Sequence, residues 1–371
     1  MQWMQNPALM RYFVTHRLFL AKETNDDVTA FEQAALLAPL LSIGVSPLDP
    51  PAGNNASERP TFLEWFPPDD MPHQAKVESS AETLKYALRT IREAHHALLM
   101  RLIRQGGKDQ VMAFLCRVIQ LNWDKGKMMQ REDVASGRCT LVDHVAHFAC
   151  RAALPVSSKL NLVNADYFRA FAEIDIQQQT RLVLSDHDAK AWADQVPTAT
   201  EPPNFVSDIF FKSIVLFHLG PMHTQRAFHD FMRQFQHVMD QVTRIEQLPE
   251  NPLHLRNTLM KEAARKKKAE MQSRKITFET LLMDREPAHV YMDVLDMTLR
   301  WIMALCRADD QPAGATVFKD ELPPSLAALP EFVVENVLDF FNFYFRCVFP
   351  FSIASGPGVT RRHLFPFDPS D

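Results

Sequence analysis

The stretch Pro203-Asn-Phe-Val-Ser-Asp-Ile-Phe-Phe-Lys-Ser-Ile-Val-Leu-Phe-His-Leu-Gly-Pro221 decides the fold class. Asn204 or Ser207 is placed to cap a helix, because a short side-chain oxygen accepts a backbone N–H that the first turn leaves without a partner. Gly220 and Pro221 stop that helix. Between those signals Phe205, Ile209, Phe210, Ile214, Val215, Phe217 and Leu219 cover most of the circumference, leaving Asp208, Lys212 and Ser213 as a narrow polar edge. A helix this apolar has to be covered by neighbours on several sides.

The composition agrees with such an interior. The chain has 371 residues, 46% of them hydrophobic, with 27 Phe against only 10 Gly. Large rings fill cores, and scarce glycine disfavours the tight turns that cradle phosphates. The sequence holds no Gly-x-Gly-x-x-Gly, no Gly-Lys-Ser/Thr loop, no Gly-x-Ser-x-Gly elbow and no His-Glu-x-x-His, which argues against nucleotide-binding α/β folds and the commoner hydrolases. A net charge of −5 is too mild to indicate a nucleic acid or an anionic membrane as main partner. Cysteines at 116, 139, 150, 306 and 347 form no Cys-x-x-Cys pair and read as reduced, mostly buried thiols of an intracellular protein. The N-terminus lacks the basic flank and clean apolar run of a signal peptide.

Outward from the organising helix, helical periodicity repeats almost everywhere. Residues 1–21 predict a helix with Leu9, Tyr12, Phe13, Leu18 and Phe19 on an apolar face, and Phe31–Leu41 a second with Pro39 near its end. Gly44–Pro60 reads as a loop. Glu78–Arg104 carries Leu84, Leu88, Ile91, His95 or Leu98, and Leu102 at spacings of three and four, and Gly106-Gly107 ends it. Further helices are predicted over 109–122, 141–154, 227–242, 253–275 and 290–306. Residues 307–324 predict a loop. The run Glu331–Phe349 is apolar, but Glu331, Glu335, Asp339, Asn342 and Arg346 form one polar stripe. Each charge at a bilayer centre costs roughly 2.5–3.5 kcal/mol, so a docked helix is expected rather than a membrane span. With no fixed repeat and almost no strand pattern, the expected fold is all-α, an irregular armadillo-like α-solenoid.

Several words of this sequence occur in an order that resembles the core of the U-box ubiquitin chain-elongation factors, the ubiquitin conjugation factor E4 family. They are Ala38-Pro39-Leu40-Leu41-Ser42, then Leu121-Asn122, Met129-Gln130 and Ser136-Gly137, then Lys159-Leu160 and Tyr167-Phe168. Asp175-Ile176 and Thr180-Arg181-Leu182 follow. The organising helix supplies Asn204, Phe205 and Ser207, then Phe210-Phe211, closed by Leu219-Gly220, and Leu329-Pro330-Glu331 comes last. The resemblance covers about residues 30–345. It implies a helical lead-in over 1–30, an elongating-factor core over 30–349 and an unpacked tail over 350–371 with no U-box after Phe349.

That family lengthens ubiquitin chains on substrates already carrying a few ubiquitins, toward proteasomal degradation. The resemblance therefore implies a scaffold that positions substrate and partners, because the reactive thioester sits on the conjugating enzyme's cysteine. Expected partners are a ubiquitin-conjugating enzyme (through the U-box missing here), polyubiquitinated substrates, a segregase AAA ATPase and ubiquitin-receptor shuttle proteins. Cytoplasm and nucleus are the implied locations. The competing reading is a helical-repeat adaptor without a ubiquitin role, although Trp at 3, 65, 123, 192 and 301 keeps no groove-lining period.

Three local constellations bear on chemistry. His144, His147 and Cys150 share one helical face and are zinc-ligand types, but no paired motif supplies further ligands, so packing is expected and no metal or cofactor is assigned. Arg265-Lys266-Lys267-Lys268 lies beside Glu262 and Glu270 at pairing distance and predicts a solvated helix face, with nuclear import or an acidic-partner contact as the alternatives. Nothing links a Ser or Cys to a particular His, so no catalytic residue is assigned.

Overall fold

A computed structural model describes residues 6–21, 28–47, 60–123, 139–163, 182, 185, 187–188, 191, 204–248, 255–307, 323–327 and 329–347. Among these residues the structure is helical and holds no strand of more than one residue. Two compact units divide at Glu331 and Phe332. The family words Asp175-Ile176 and Thr180-Arg181, the Met129-Gln130 and Ser136-Gly137 pairs, and the tail lie outside the described residues.

In the first unit, α1 (Pro7–Thr15) starts at Asn6, whose side chain accepts from the Ala8 amide, and a short 3-10 turn at Arg17–Phe19 follows. The single helix predicted for residues 1–21 is thus broken, and Leu9 and Tyr12 are exposed (48% and 67%) rather than part of an apolar contact face. α2 (Val28–Ala34) and α3 (Ala38–Leu41) replace the one helix predicted over 31–41. Pro39 explains the break. A helix continued through it would drive the ring into the carbonyl four residues back and lose a hydrogen bond, whereas the opening of a new helix tolerates it.

α4 (Phe62–Trp65) leads into α5 (Gln74–Leu102), the longest helix. Val45, Phe62, Phe66, Val77, Leu84 and Leu88 form a buried cluster at this end of the unit. α5 closes in a wide turn at Ile103–Gly107, where Gly106 takes φ +91°, a conformation that L side chains resist. α6 (Lys108–Trp123) and α7 (Cys139–Ala153) follow, the latter ending in a 3-10 stretch at Leu154–Leu162.

α8 (Phe205–Leu219) is the organising helix, and its surroundings are tighter than its sequence predicts. The expected polar edge is itself buried: Asp208 is 8% exposed, Lys212 3% and Ser213 0%. Asp208 and Lys212 neutralise each other one turn apart, and the Ser213 hydroxyl donates to the Phe210 carbonyl at 2.7 Å. α7 is the main neighbour, and α6 also packs against it. Phe210 and Phe211 meet the buried Trp301 ring edge to face at 5.4 and 5.3 Å.

Gly220 joins α8 to α9 (Pro221–Glu246), which packs beside α10 (Leu255–Leu282) through Phe228, Phe231 and Phe278. By length and composition the run Phe205–Glu246 passes for a membrane span, but 83% of its apolar stretch is buried inside the protein, as in a core helix. α11 (Arg285–Cys306) and the short α12 (Pro324–Ala327) complete the unit. The second unit is described through α13 (Phe332–Cys347), on which Phe340 stacks with Tyr344 and Phe341 with Phe345.

Candidate functional site

The densest polar chemistry in the interior lies where α3, α5, α7 and α11 converge. Asp284 caps α11, its Oδ1 accepting from the Glu286 amide at 3.3 Å, and Glu286 occupies the first turn, where the helix dipole favours a negative charge. Both carboxylates reach the same cation: Arg92 Nη1 on α5 lies 2.9 Å from Asp284 and 3.0 Å from Glu286. Burial works against the guanidinium charge, but the hydrogen bond that Arg92 donates to Asp284 and the surrounding negative groups outweigh it and hold Arg92 above its ordinary value. Glu286 is likewise opposed by burial, yet His147 and Arg92 bring its carboxyl down to about 2.

Histidines surround this triad. His147 Nε2 stands 3.3 Å from the second Glu286 oxygen. His95 donates to the Leu40 carbonyl and His144 to the Leu41 carbonyl, each at 2.9 Å, tying α5 and α7 to the last turn of α3. The His95 and His144 rings meet edge to face at 5.0 Å. Burial is the first cause that lowers all of them: His144 falls to about 3, the neighbouring His96 to about 4, and His95 and His147 move in the same direction. At neutral pH these imidazoles are therefore uncharged, and the buried Arg92 guanidinium meets two carboxylates.

A cavity of about 60 Å³ beside the triad is lined by Arg92, Asp143, His144, Thr224 and Tyr291 among others. That is room for about two waters, well short of the roughly 300–1,000 Å³ typical of ligand pockets. Burial pushes the Tyr291 hydroxyl well above its ordinary range. Cys150 donates to the Ser213 carbonyl at 3.7 Å, is fully buried, and is pushed upward by that burial, so its thiol stays protonated.

The three zinc-type residues of α7 thus go separate ways, His144 to a carbonyl of α3, His147 to Glu286 and Cys150 to a carbonyl of α8. Among the described residues no group of three or more His, Cys, Asp or Glu is arranged to hold a metal. The triad itself escaped the sequence reading, because Arg92 and Asp284 stand 192 positions apart. One signal was present: Asp284 followed by Arg-Glu-Pro is a helix-start pattern.

The motif residues hold joints. Asn204, rather than Ser207, caps α8: it accepts from the Ser207 amide at 2.8 Å while its own amide donates to the Leu162 carbonyl at 3.1 Å. Ser207 adds a 3.4 Å bond to that same carbonyl. Lys108 stands over the Phe205 ring at 5.8 Å, and Leu219 is buried. Gly220 lies so close to α7 that a Cβ there would meet Asp143 Oδ1 at 2.9 Å and the Val142 carbonyl at 3.2 Å. The Leu182 amide donates to the buried Leu329 carbonyl at 3.1 Å, joining two distant words, with Pro330 buried and Glu331 half-buried beside it.

A model of the ubiquitin elongating factor core matches residues 37–357. The chain belongs to that family. It is also similar to ubiquitin conjugation factor E4 of Schizosaccharomyces pombe (strain 972 / ATCC 24843), 22% identical over 296 residues that make up 73% of this chain. The match spans 28% of the length of that relative. The family's core region, expected from the ordered words, is therefore present.

Proposed function

We propose that this chain is the core scaffold of a ubiquitin chain-elongating factor, holding substrate and partners in place while the transfer chemistry takes place on a conjugating enzyme. The family match over residues 37–357 carries the reading. The interior supports it: Arg92, Asp284 and Glu286 are bound to one another and His95 and His144 to backbone carbonyls, an arrangement that rigidifies helix junctions. A rigid frame raises the local concentration and fixes the orientation of bound reactants, which is the contribution such a scaffold makes.

The finer parts of the proposal follow the same reading. The helices form an irregular armadillo-like solenoid, supported by runs of neighbouring helices such as α9 beside α10. Its partners are polyubiquitinated substrates, shuttle receptors, a segregase AAA ATPase and, through a U-box, a conjugating enzyme; the output is proteasomal degradation, including that of proteins extracted from the endoplasmic reticulum. The chain resides in cytoplasm and nucleus. Arg265, Lys266 and Lys267 are exposed on α10 and are the candidate import determinant.

The test is reconstitution of chain growth on a mono-ubiquitinated substrate with activating enzyme, conjugating enzyme and ubiquitin. The chain alone is expected to be inactive, and the chain with a family U-box fused downstream active. Activity of the unfused chain would overturn the scaffold role. Inactivity of a folded fusion across several conjugating enzymes would overturn the elongation role. A tagged chain with Arg265–Lys267 changed to Gln is expected to lose nuclear accumulation.

A further inference from the structure

The cavity beside the Arg92 triad is walled by polar groups that the protein engages only in part. Arg92 is 7% exposed, yet both of its ion pairs leave from Nη1. A guanidinium also carries N–H donors on Nε and Nη2. These meet no acceptor among the described residues, and Arg92 lines the cavity of about 60 Å³.

His144 stands in the same wall with the opposite need. Its Nδ1 lies 2.9 Å from the Leu41 carbonyl, which can only accept, so Nδ1 carries the proton. Burial keeps the ring neutral, and Nε2 is then an acceptor. Asp143 and Thr224 line the cavity too and are joined to each other, the Thr224 hydroxyl donating to Asp143 Oδ2 at 3.0 Å. Buried donors and acceptors left unmade are costly, and folded proteins satisfy them with protein groups or with ordered water.

Charge and size select the occupant. The carboxylates of Asp143, Asp284 and Glu286 disfavour an anion here, and the Arg92 guanidinium disfavours a metal ion or an ammonium group. The occupant is therefore neutral, accepts from Arg92 and donates to His144. Only a very small molecule fits the volume, and water meets both demands in a cavity with several polar partners.

We propose that this cavity is a structural water site, in which bound waters accept from Nε and Nη2 of Arg92 and donate to Nε2 of His144 and to the Asp143 carboxylate. The waters tie α5 to α7 and, through the Thr224–Asp143 bond, to α9. Held in place, they do not solvate a charge as bulk water does, and His144 stays neutral. The site is a property of the fold and holds whether or not the chain takes part in ubiquitin transfer.

Crystals of the full chain test it. Ordered density is expected in the cavity, with one peak within about 3.2 Å of both an Arg92 donor and His144 Nε2. No anomalous peak is expected there after a bromide soak or under xenon pressure, since xenon enters dry apolar cavities. A bromide peak would make this an anion site and a xenon peak a dry void; either overturns the proposal, as does a cavity without density. In solution, oxygen-17 magnetic relaxation dispersion counts long-lived internal waters. Leu282→Phe adds a ring to the cavity wall and is expected to lower that count by about two, the number the volume admits. Leu282→Met conserves volume and is expected to leave the count unchanged. Equal counts in the native protein and a folded Leu282→Phe variant would overturn the proposal.

Discussion

Nη1 of Arg92 lies 2.9 Å from Oδ2 of Asp284, joining the middle of α5 to the residue that caps α11. Because Arg92 also holds Glu286, its removal leaves the buried Asp284 and the half-buried Glu286 without their cation. Arg92→Met is expected to cost about 3–5 kcal/mol in urea denaturation. Arg92→Lys is expected to cost less but still to destabilise, since a point-charge ammonium lacks the planar fork of a guanidinium. An unchanged midpoint in Arg92→Met would show that the triad contributes nothing to folding.

Asn204 ties the start of α8 to the Leu162 carbonyl at 3.1 Å in addition to capping the helix. Asn204→Ala is expected to lower stability by about 1–2 kcal/mol. Asn204→Asp keeps the cap acceptor but loses the amide donor, and should fall between the two. Equal stability of all three proteins would remove Asn204 from the joint.

Gly220 is required by space, not by its dihedral angles, which are φ −100° and ψ −93°. Gly220→Ala forces a methyl against the Val142 carbonyl and the Asp143 carboxylate, and is expected to cost about 1–3 kcal/mol. Loss of the Thr224–Asp143 hydrogen bond, 3.0 Å in the parent, should accompany it. A stable Gly220→Ala protein would mean that α7 and α9 slide apart freely.

Acid sensitivity begins at the histidines. His95, His96, His144 and His147 all have folded values below the unfolded 6.5, with burial as the first cause in each. The unfolded chain therefore binds more protons below that pH, and stability present above pH 6.5 is lost as pH falls. Each histidine that stays neutral in the fold removes up to about 1.4 kcal/mol per pH unit. Glu286, held at about 2 against an ordinary 4.5, adds its own loss below pH 4.5. Thermal melting from pH 7.5 to 5 should show a steady fall in Tm. A flat profile down to pH 5 would show that these rings are hydrated.

The sequence made α8 legible because an apolar surface over most of a helix has only one kind of environment. It did not reveal that Asp208 and Lys212 are buried too: a pair one turn apart neutralises itself, so its charges mark no solvent edge. The apolar face read into residues 1–21 was wrong at Leu9 and Tyr12, since periodicity shows a stripe but not what covers it. His144, His147 and Cys150 were visible as one face of α7. Their three destinations, on α3, α11 and α8, depend on long-range contacts that spacing does not encode, as does the convergence of Arg92 with Asp284 and Glu286. Asn204 and Gly220 were legible as the cap and the stop of α8, because a cap and a stop are local requirements.

Cys150 gives the molecule an internal clock. Its sulfur is wholly enclosed between α7 and α8, whereas Cys116 and Cys306 are partly accessible. A thiol reagent added to the native protein therefore modifies Cys150 only when the two most closely packed helices part. The rate of that one modification, followed by mass spectrometry of its peptide, counts how often the heart of the scaffold opens. The fold thus carries its own opening reporter, at the position where a breach would matter most.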